Sequence, residues 1–299
     1  MPRGGPPPER PPIETDRLAE HLDAVGADAA TRRFAEALQS EGLARIELGP
    51  DVLPLCEQAA RDVEPLFSAP EVRRIQDAWR RSDAVRALAT LPGVLRTLEA
   101  VYGRRPFPFQ TLNFQRGSEQ GAHSDAMHFH SAPAGFMCGL WIALEDVRPE
   151  AGPLIYYPGS HRSPYPDADP ANLGLSTGGF VNRMAGQLAE AGRPPEQALL
   201  ERGEALVWTA NLAHGGAPVT SPGATRRSLV VHYYFERCAY FTPLATGFDP
   251  ERRRLRLPAD AGTGRWVWPR ENGRPLPIRP TAVAVTVGRT LLRTVHRLS

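Results

Sequence analysis

From residue 106 onward the chain is cut into short apolar and aromatic runs separated by glycine and proline. The runs are "FPFQTLNF", "GFMCGLWIALEDV", "GPLIYYPGS", "GEALVWTANL" and "RRSLVVHYYF". Each is rich in residues that suit a pleated surface and is bounded by turn residues, so each reads as a strand. Five or more such strands imply a sandwich or a barrel. The preceding stretch, residues 14–101, reads as helical. In "RRFAEALQSEGLARIEL" and "AVRALATLPGVLRTLEAVYG", Leu, Ala and Val recur at helical spacing. Asp83 is placed to cap the second, which Pro92 and Gly93 interrupt. The expected class is therefore mainly β with flanking helices. A polar insert from His161 to about residue 200, with a helix near 182–192, separates two of the strands, as functional lids do.

The 299 residues suit one large domain or two small ones. We expect one, spanning 14–299: a helical part over 14–101, a β core over about 102–240 and an extension over 241–299. Residues 1–13, "MPRGGPPPERPPI", are proline-rich without an apolar stretch, and are expected to be disordered. A net charge of +2 gives no electrostatic case for nucleic acid. All 35 basic residues are arginine, so no role that needs an amine is open. Cys56, Cys138 and Cys238 are widely spaced and odd in number, which suits unpaired thiols in a reducing cytoplasm better than disulfides. No run of about 20 apolar residues is present to span a membrane. The last segment, "TAVAVTVGRTLLRTVHRLS", reads as an amphipathic helix with Arg289, Arg293 and Arg297 on one face. It is expected to dock on the domain, with a membrane surface or interface as the alternative.

Three of the eight histidines fall within "HSDAMHFH", residues 123–130. On a strand, residues i and i+2 share a face, so His123 and Asp125 would deliver an imidazole and a carboxylate to one point. Alone, H-x-D is a weak signal. Downstream, "WTANLAHGGAPVTSPGATRRSLVVHYYF" places His214 just after a strand and Arg226 twelve residues later. Two histidines and one carboxylate form a facial triad suited to non-haem Fe(II), with positions left for a bidentate 2-oxo acid and O2. An arginine nearby matches the far carboxylate of such an acid.

These residues carry a resemblance. The pieces "HSD", "LWIALEDVRPEAGPLIYYPGSHR" and "HGGAPVTSPGATRRSLVVHYYF" are similar to the phytanoyl-CoA dioxygenase family of Fe(II)/2-oxoglutarate oxygenases, over about residues 100–240. The resemblance implies a double-stranded β-helix, or jelly roll, of the cupin-like kind. It implies His123, Asp125 and His214 as iron ligands and Arg226 as the partner of 2-oxoglutarate, with Arg227 as the alternative. It also implies Trp141 beside the co-substrate; Gln110 is a further candidate there. The expected reaction uses Fe(II), 2-oxoglutarate and O2 to hydroxylate an unactivated C–H bond of a small molecule, releasing succinate and CO2. The carboxylate at 125 argues against a halogenase. Some family members use a lysine as an additional co-substrate contact, and this chain has none.

In an unbroken strand His128 and His130 face away from His123 and Asp125. They bind substrate if the chain bends after Asp125, and are structural otherwise. His161 is expected to be structural, and His232 shares the parity of Arg226. A cupin site built on "HFH" lacks its glutamate. A zinc hydrolase gives Arg226 no role, and a non-catalytic jelly-roll binding protein gives the triad none.

Overall fold

The protein is described by a computed structural model covering residues 10–49, 51–69 and 72–278. Its first part is a helical layer: α1 (Leu18–Ala24), α2 (Ala29–Glu41), then a short strand β1 (Leu43–Ile46), and α3 (Val52–Val63). A two-residue strand β2 (Ile75–Gln76), α4 (Asp83–Ala89) and α5 (Pro92–Tyr102) complete it. The sheets follow with β3 (Pro106–Phe114), β4 (His130–Ala132), β5 (Met137–Ala143) and β6 (Leu154–Tyr156). After α6 (Thr177–Glu190) come β7 (Glu196–Ala198), β8 (Ala205–Thr209), β9 (His214–Gly216), β10 (Ser228–Phe235) and β11 (Ala239–Phe241).

The larger sheet runs β1-β8-β5-β10-β3-β2, and the smaller β7-β6-β9. Leu154 and Ala198 of the smaller sheet pack with Trp141, Leu206 and Val230 of the larger one. The other face of the larger sheet buries Leu140, Val207, Val231 and Tyr233 against Leu38, Val85, Leu98 and Tyr102 of the helices. Strand β10 is thus buried on both faces. Its odd residues meet helices, and its even residues look between the sheets. This is the mainly β, helix-flanked jelly roll expected from the sequence.

Four local details differ from the sequence reading. The helix of "RRFAEALQSEGLARIEL" stops at Gly42, whose φ of 80° makes the left-handed cap, and Leu43–Ile46 then pairs with β8. Pairing across the chain outweighs the local helical pattern. The later helical stretch is two helices: Ser82, not Asp83, caps α4 through its hydroxyl, and Pro92 opens α5. Residues 10–13 belong to the packed body: Ile13 is buried and Gln39 Nε2 donates to its carbonyl. The insert helix begins earlier than expected, at Thr177, capped by Ser176. The predicted C-terminal helix lies outside the described residues.

Gly139 of β5 sits opposite Trp208 of β8, and a Cβ at 139 would overlap the indole ring. Gly139→Ala should therefore force Trp208 aside and destabilise the fold by about 1–3 kcal/mol. Urea unfolding of the two proteins measures the difference.

Candidate active site

His123 and His214 exchange both backbone N–H···O bonds, each 2.9 Å. A directly opposed antiparallel pair places its side chains on one face, and the two imidazole rings lie 4.6 Å apart. Each ring is then oriented by its own chain. His123 Nδ1 lies 2.9 Å from the Gly121 carbonyl and His214 Nδ1 3.0 Å from the Leu212 carbonyl. A carbonyl only accepts, so each Nδ1 is the donor, and each Nε2 is the ring atom left for another partner. Burial, followed by the neighbouring His214, pushes His123 down to about 4, which keeps it neutral near pH 7.

Asp125 begins a single 3-10 turn, Asp125–Met127, instead of continuing a strand. Its carboxylate is buried and faces the histidines. Trp208 Nε1 donates to Oδ2 at 2.8 Å, and His232 Nε2 stands 3.5 Å from the same oxygen. Oδ1 is left for other work, 3.9 Å from His214 Nε2. Burial alone would raise this acid, but His232 and His214 outweigh it and hold Asp125 well below the usual carboxylate range. One donor atom from each of His123, Asp125 and His214 lies within 4.8 Å of the others. Two imidazoles and one ionised carboxylate are the donor set of a facial Fe(II) site, and they fit that ion.

The turn at Asp125 also decides the other two histidines. The parity argument assumed an unbroken strand, and the backbone instead folds back through bonds from His128 and Phe129 to the Asp125 carbonyl. His128 lines the same cavity as the triad. Burial and then His123 push it down to about 4. His130 opens β4 and is held away from the cavity: Nε2 pairs with Asp167 at 2.9 Å, and the ring stacks on Tyr165. His130 is not among the residues that line the cavity, and its contacts are those of a structural residue. His161 accepts the structural role expected of it, 3.0 Å from the Gln39 carbonyl. The adjacent Ser160 hydroxyl receives the Ala213 N–H and so braces the residue before His214.

The alternation that runs along β10 also separates the two arginines. Arg227 points outward to Glu145 and Glu64. Arg226 is buried, lines the cavity and has no carboxylate partner among the described residues. Its Nε has no hydrogen-bond partner, and its guanidinium lies 5.6 Å from the Trp141 ring. Burial lowers Arg226 to about 10, so the group is still cationic at pH 7. A buried, unneutralised guanidinium in the cavity fits the carboxylate of a 2-oxo acid. Trp141 lines the cavity beside it. Gln110 does too, but its Oε1 meets His232 Nδ1 at 3.1 Å, which links it to Asp125 through His232.

Two cavity features were missed from sequence. Trp208 was part of a strand reading, and its distance along the chain from Asp125 gave no sign of their bond. Phe109 faces the cavity because β3 carries an irregularity opposite His232 and Tyr233, where one extra residue upsets the alternation.

Residues 28–228 match the phytanoyl-CoA dioxygenase (PhyH) family. The chain belongs to the phytanoyl-CoA dioxygenase family. The peroxisomal phytanoyl-CoA dioxygenase of Bos taurus is 25% identical over 228 residues, covering 72% of this chain and 64% of the relative. That of Rattus norvegicus is 24% identical over 193 residues, covering 62% and 55%. The chain thus spans under two thirds of these relatives. Among solved structures, the epimerase SnoN in complex with Fe3+, alpha ketoglutarate and nogalamycin RO superposes with a TM-score of 0.57 at 24% identity, covering 84% of this chain and 96% of SnoN. EctD from S. alaskensis with 2-oxoglutarate and 5-hydroxyectoine gives 0.59 at 19% identity, covering 83% and 88%. The fold is that of this family's jelly roll.

Trp208→Phe keeps the ring packing and removes the N–H that holds Asp125. Divalent-metal binding should weaken by roughly 10- to 100-fold while the fold is retained. Titration with Co(II), followed by its visible absorbance, measures the change.

Proposed function

We propose that this chain is an Fe(II)- and 2-oxoglutarate-dependent dioxygenase that hydroxylates an unactivated C–H bond of a small molecule, releasing succinate and CO2. One observation carries the reading: an oriented His-Asp-His donor set and a buried guanidinium without an anion share one cavity of about 1180 Å3. His123 Nε2, His214 Nε2 and Asp125 Oδ1 are the metal ligands. Arg226 receives the distal carboxylate of 2-oxoglutarate, and Trp141 lies along it. Iron, when bound, supplies the activation of O2 coupled to decarboxylation of the 2-oxo acid.

The protein's own work is orientation and exclusion of water. Trp208 and His232 fix the carboxylate of Asp125, so its ligand oxygen does not rotate away. Gln110 positions His232 and is assigned no direct co-substrate contact. Phe109, Phe129, Leu112 and Val230 give the cavity apolar walls where a C–H bond can be presented. His128 stands on those walls as a substrate contact. The three cysteines are buried and unpaired, which supports a cytoplasmic setting. Among the described residues, no helix is long and apolar enough to cross a membrane. A zinc hydrolase would use the triad and leave Arg226 idle.

Anaerobic addition of Fe(II) and 2-oxoglutarate should give a weak visible charge-transfer band, and admission of air should give slow succinate formation. Arg226→Gln should weaken 2-oxoglutarate binding by roughly 10- to 100-fold, as expected for loss of a charge-assisted pair. Arg227→Gln should leave it nearly unchanged. Absence of both the band and succinate, or equal effects of the two variants, would overturn the reading.

A further inference from the structure

The cavity wall holds seven arginines against two aspartates and no glutamate. One of the seven, Arg226, is assigned above to the co-substrate, and Arg253 is neutralised by Glu271 at 3.0 Å. Arg74, Arg80, Arg81, Arg254 and Arg256 have no carboxylate partner among the described residues. Elsewhere on the surface, the adjoining Arg73 lies 3.7 Å from Glu119, and Arg227 has two acids. Of the two aspartates on the wall, Asp125 belongs to the triad and Asp77 accepts from the Thr111 N–H, and neither is paired with an arginine among the described residues.

Arg256 is the best defined of these. Its backbone N–H donates to the Tyr240 carbonyl at 2.7 Å, and its neighbour Leu255 bridges to Phe241. Its side chain is only partly exposed, bonds to Thr242 Oγ1 at 3.1 Å and lies over Phe129, 4.9 Å from the ring centre. The Phe129 ring is in turn 4.9 Å from that of His232, the neighbour of Asp125. A fixed cation therefore stands one aromatic ring beyond the metal site.

Arg226 cannot share this role. Its guanidinium lies beside Trp141 and Phe114, whereas that of Arg256 lies beside Phe129 and Phe109. The cavity thus has two separate cationic positions, one for the co-substrate and one for something else.

We infer that the substrate carries an oxyanion, a carboxylate or a phosphate, which Arg256 and Arg254 hold while its apolar part lies along Phe109 and Phe129. Arg74, Arg80 and Arg81, exposed on the same cavity, draw the anion in. This inference rests on the reading of the cavity as an oxygenase site, and it specifies the substrate class. The anion recovers the cost of leaving a partly buried guanidinium without a counter-charge.

The test uses the full chain loaded anaerobically with Fe(II) and 2-oxoglutarate, so that Arg226 is already occupied. Phenyl phosphate, benzoate and the neutral benzamide are titrated by calorimetry. At least one anion should bind roughly 10- to 100-fold more tightly than benzamide, and the tighter of the two names the oxyanion class. The double variant Arg256→Gln, Arg254→Gln should lose that preference while keeping its 2-oxoglutarate affinity. Arg74→Gln, an exposed substitution, gives a second reading if the double variant does not fold, and should reduce the preference several-fold. Equal binding of benzamide and both anions, or a preference that survives the substitutions, would overturn the inference. An intact preference in a protein that binds no 2-oxoglutarate would overturn the oxygenase reading alone.

Discussion

Two backbone hydrogen bonds between His123 and His214 hold together what the rest of the site needs. They join a loop that follows β3 to the short strand β9, on segments far apart along the chain. Because the pair is directly opposed, both side chains emerge on one face without further adjustment. The same local backbone supplies a carbonyl to each Nδ1, so strand pairing and tautomer are set by one piece of geometry. Asp125 joins them because Ser124 is extended, which keeps residues 123 and 125 on one side before the chain turns.

The support around Asp125 is graded. Trp208 provides a firm donor, and Gly139 makes room for that indole by having no side chain of its own. His232 and Gln110 extend the contact across β10 and β3. Stability and chemistry are coupled here. The packing of two strands of the larger sheet decides which oxygen of a carboxylate is free.

Much of this was legible in the sequence, for physical reasons that can be named. The short runs after residue 106 have the length and composition of strands, and the sheets contain them. The pairing of H-x-D with a distant histidine followed an order that the family resemblance supplied, and the structure brings those three side chains together. Arg226 and Arg227 were separable in principle, since neighbours on a strand face opposite ways. Other features were not legible. Strand β1 exists because β8 pairs with it, although Gly42 was a readable stop for the preceding helix. The extra residue at Phe109 and the turn at Asp125 both break the alternation on which residue-parity arguments depend. His128 and His130 therefore went to different places for a reason that only the backbone path contains.

The two-faced burial of β10 has a consequence for how this chain can vary. All its residues are buried, its odd ones against helices, while Val230 and His232 face the cavity, so each position is committed to one side. A one-residue insertion or deletion between Arg226 and His232 would turn part of the strand over. A cation meant for the interior would meet water, and a hydrophobic anchor would enter the reaction space. Changes of length can be absorbed in the long insert after β6, whereas along this strand the count of residues is itself part of the active site.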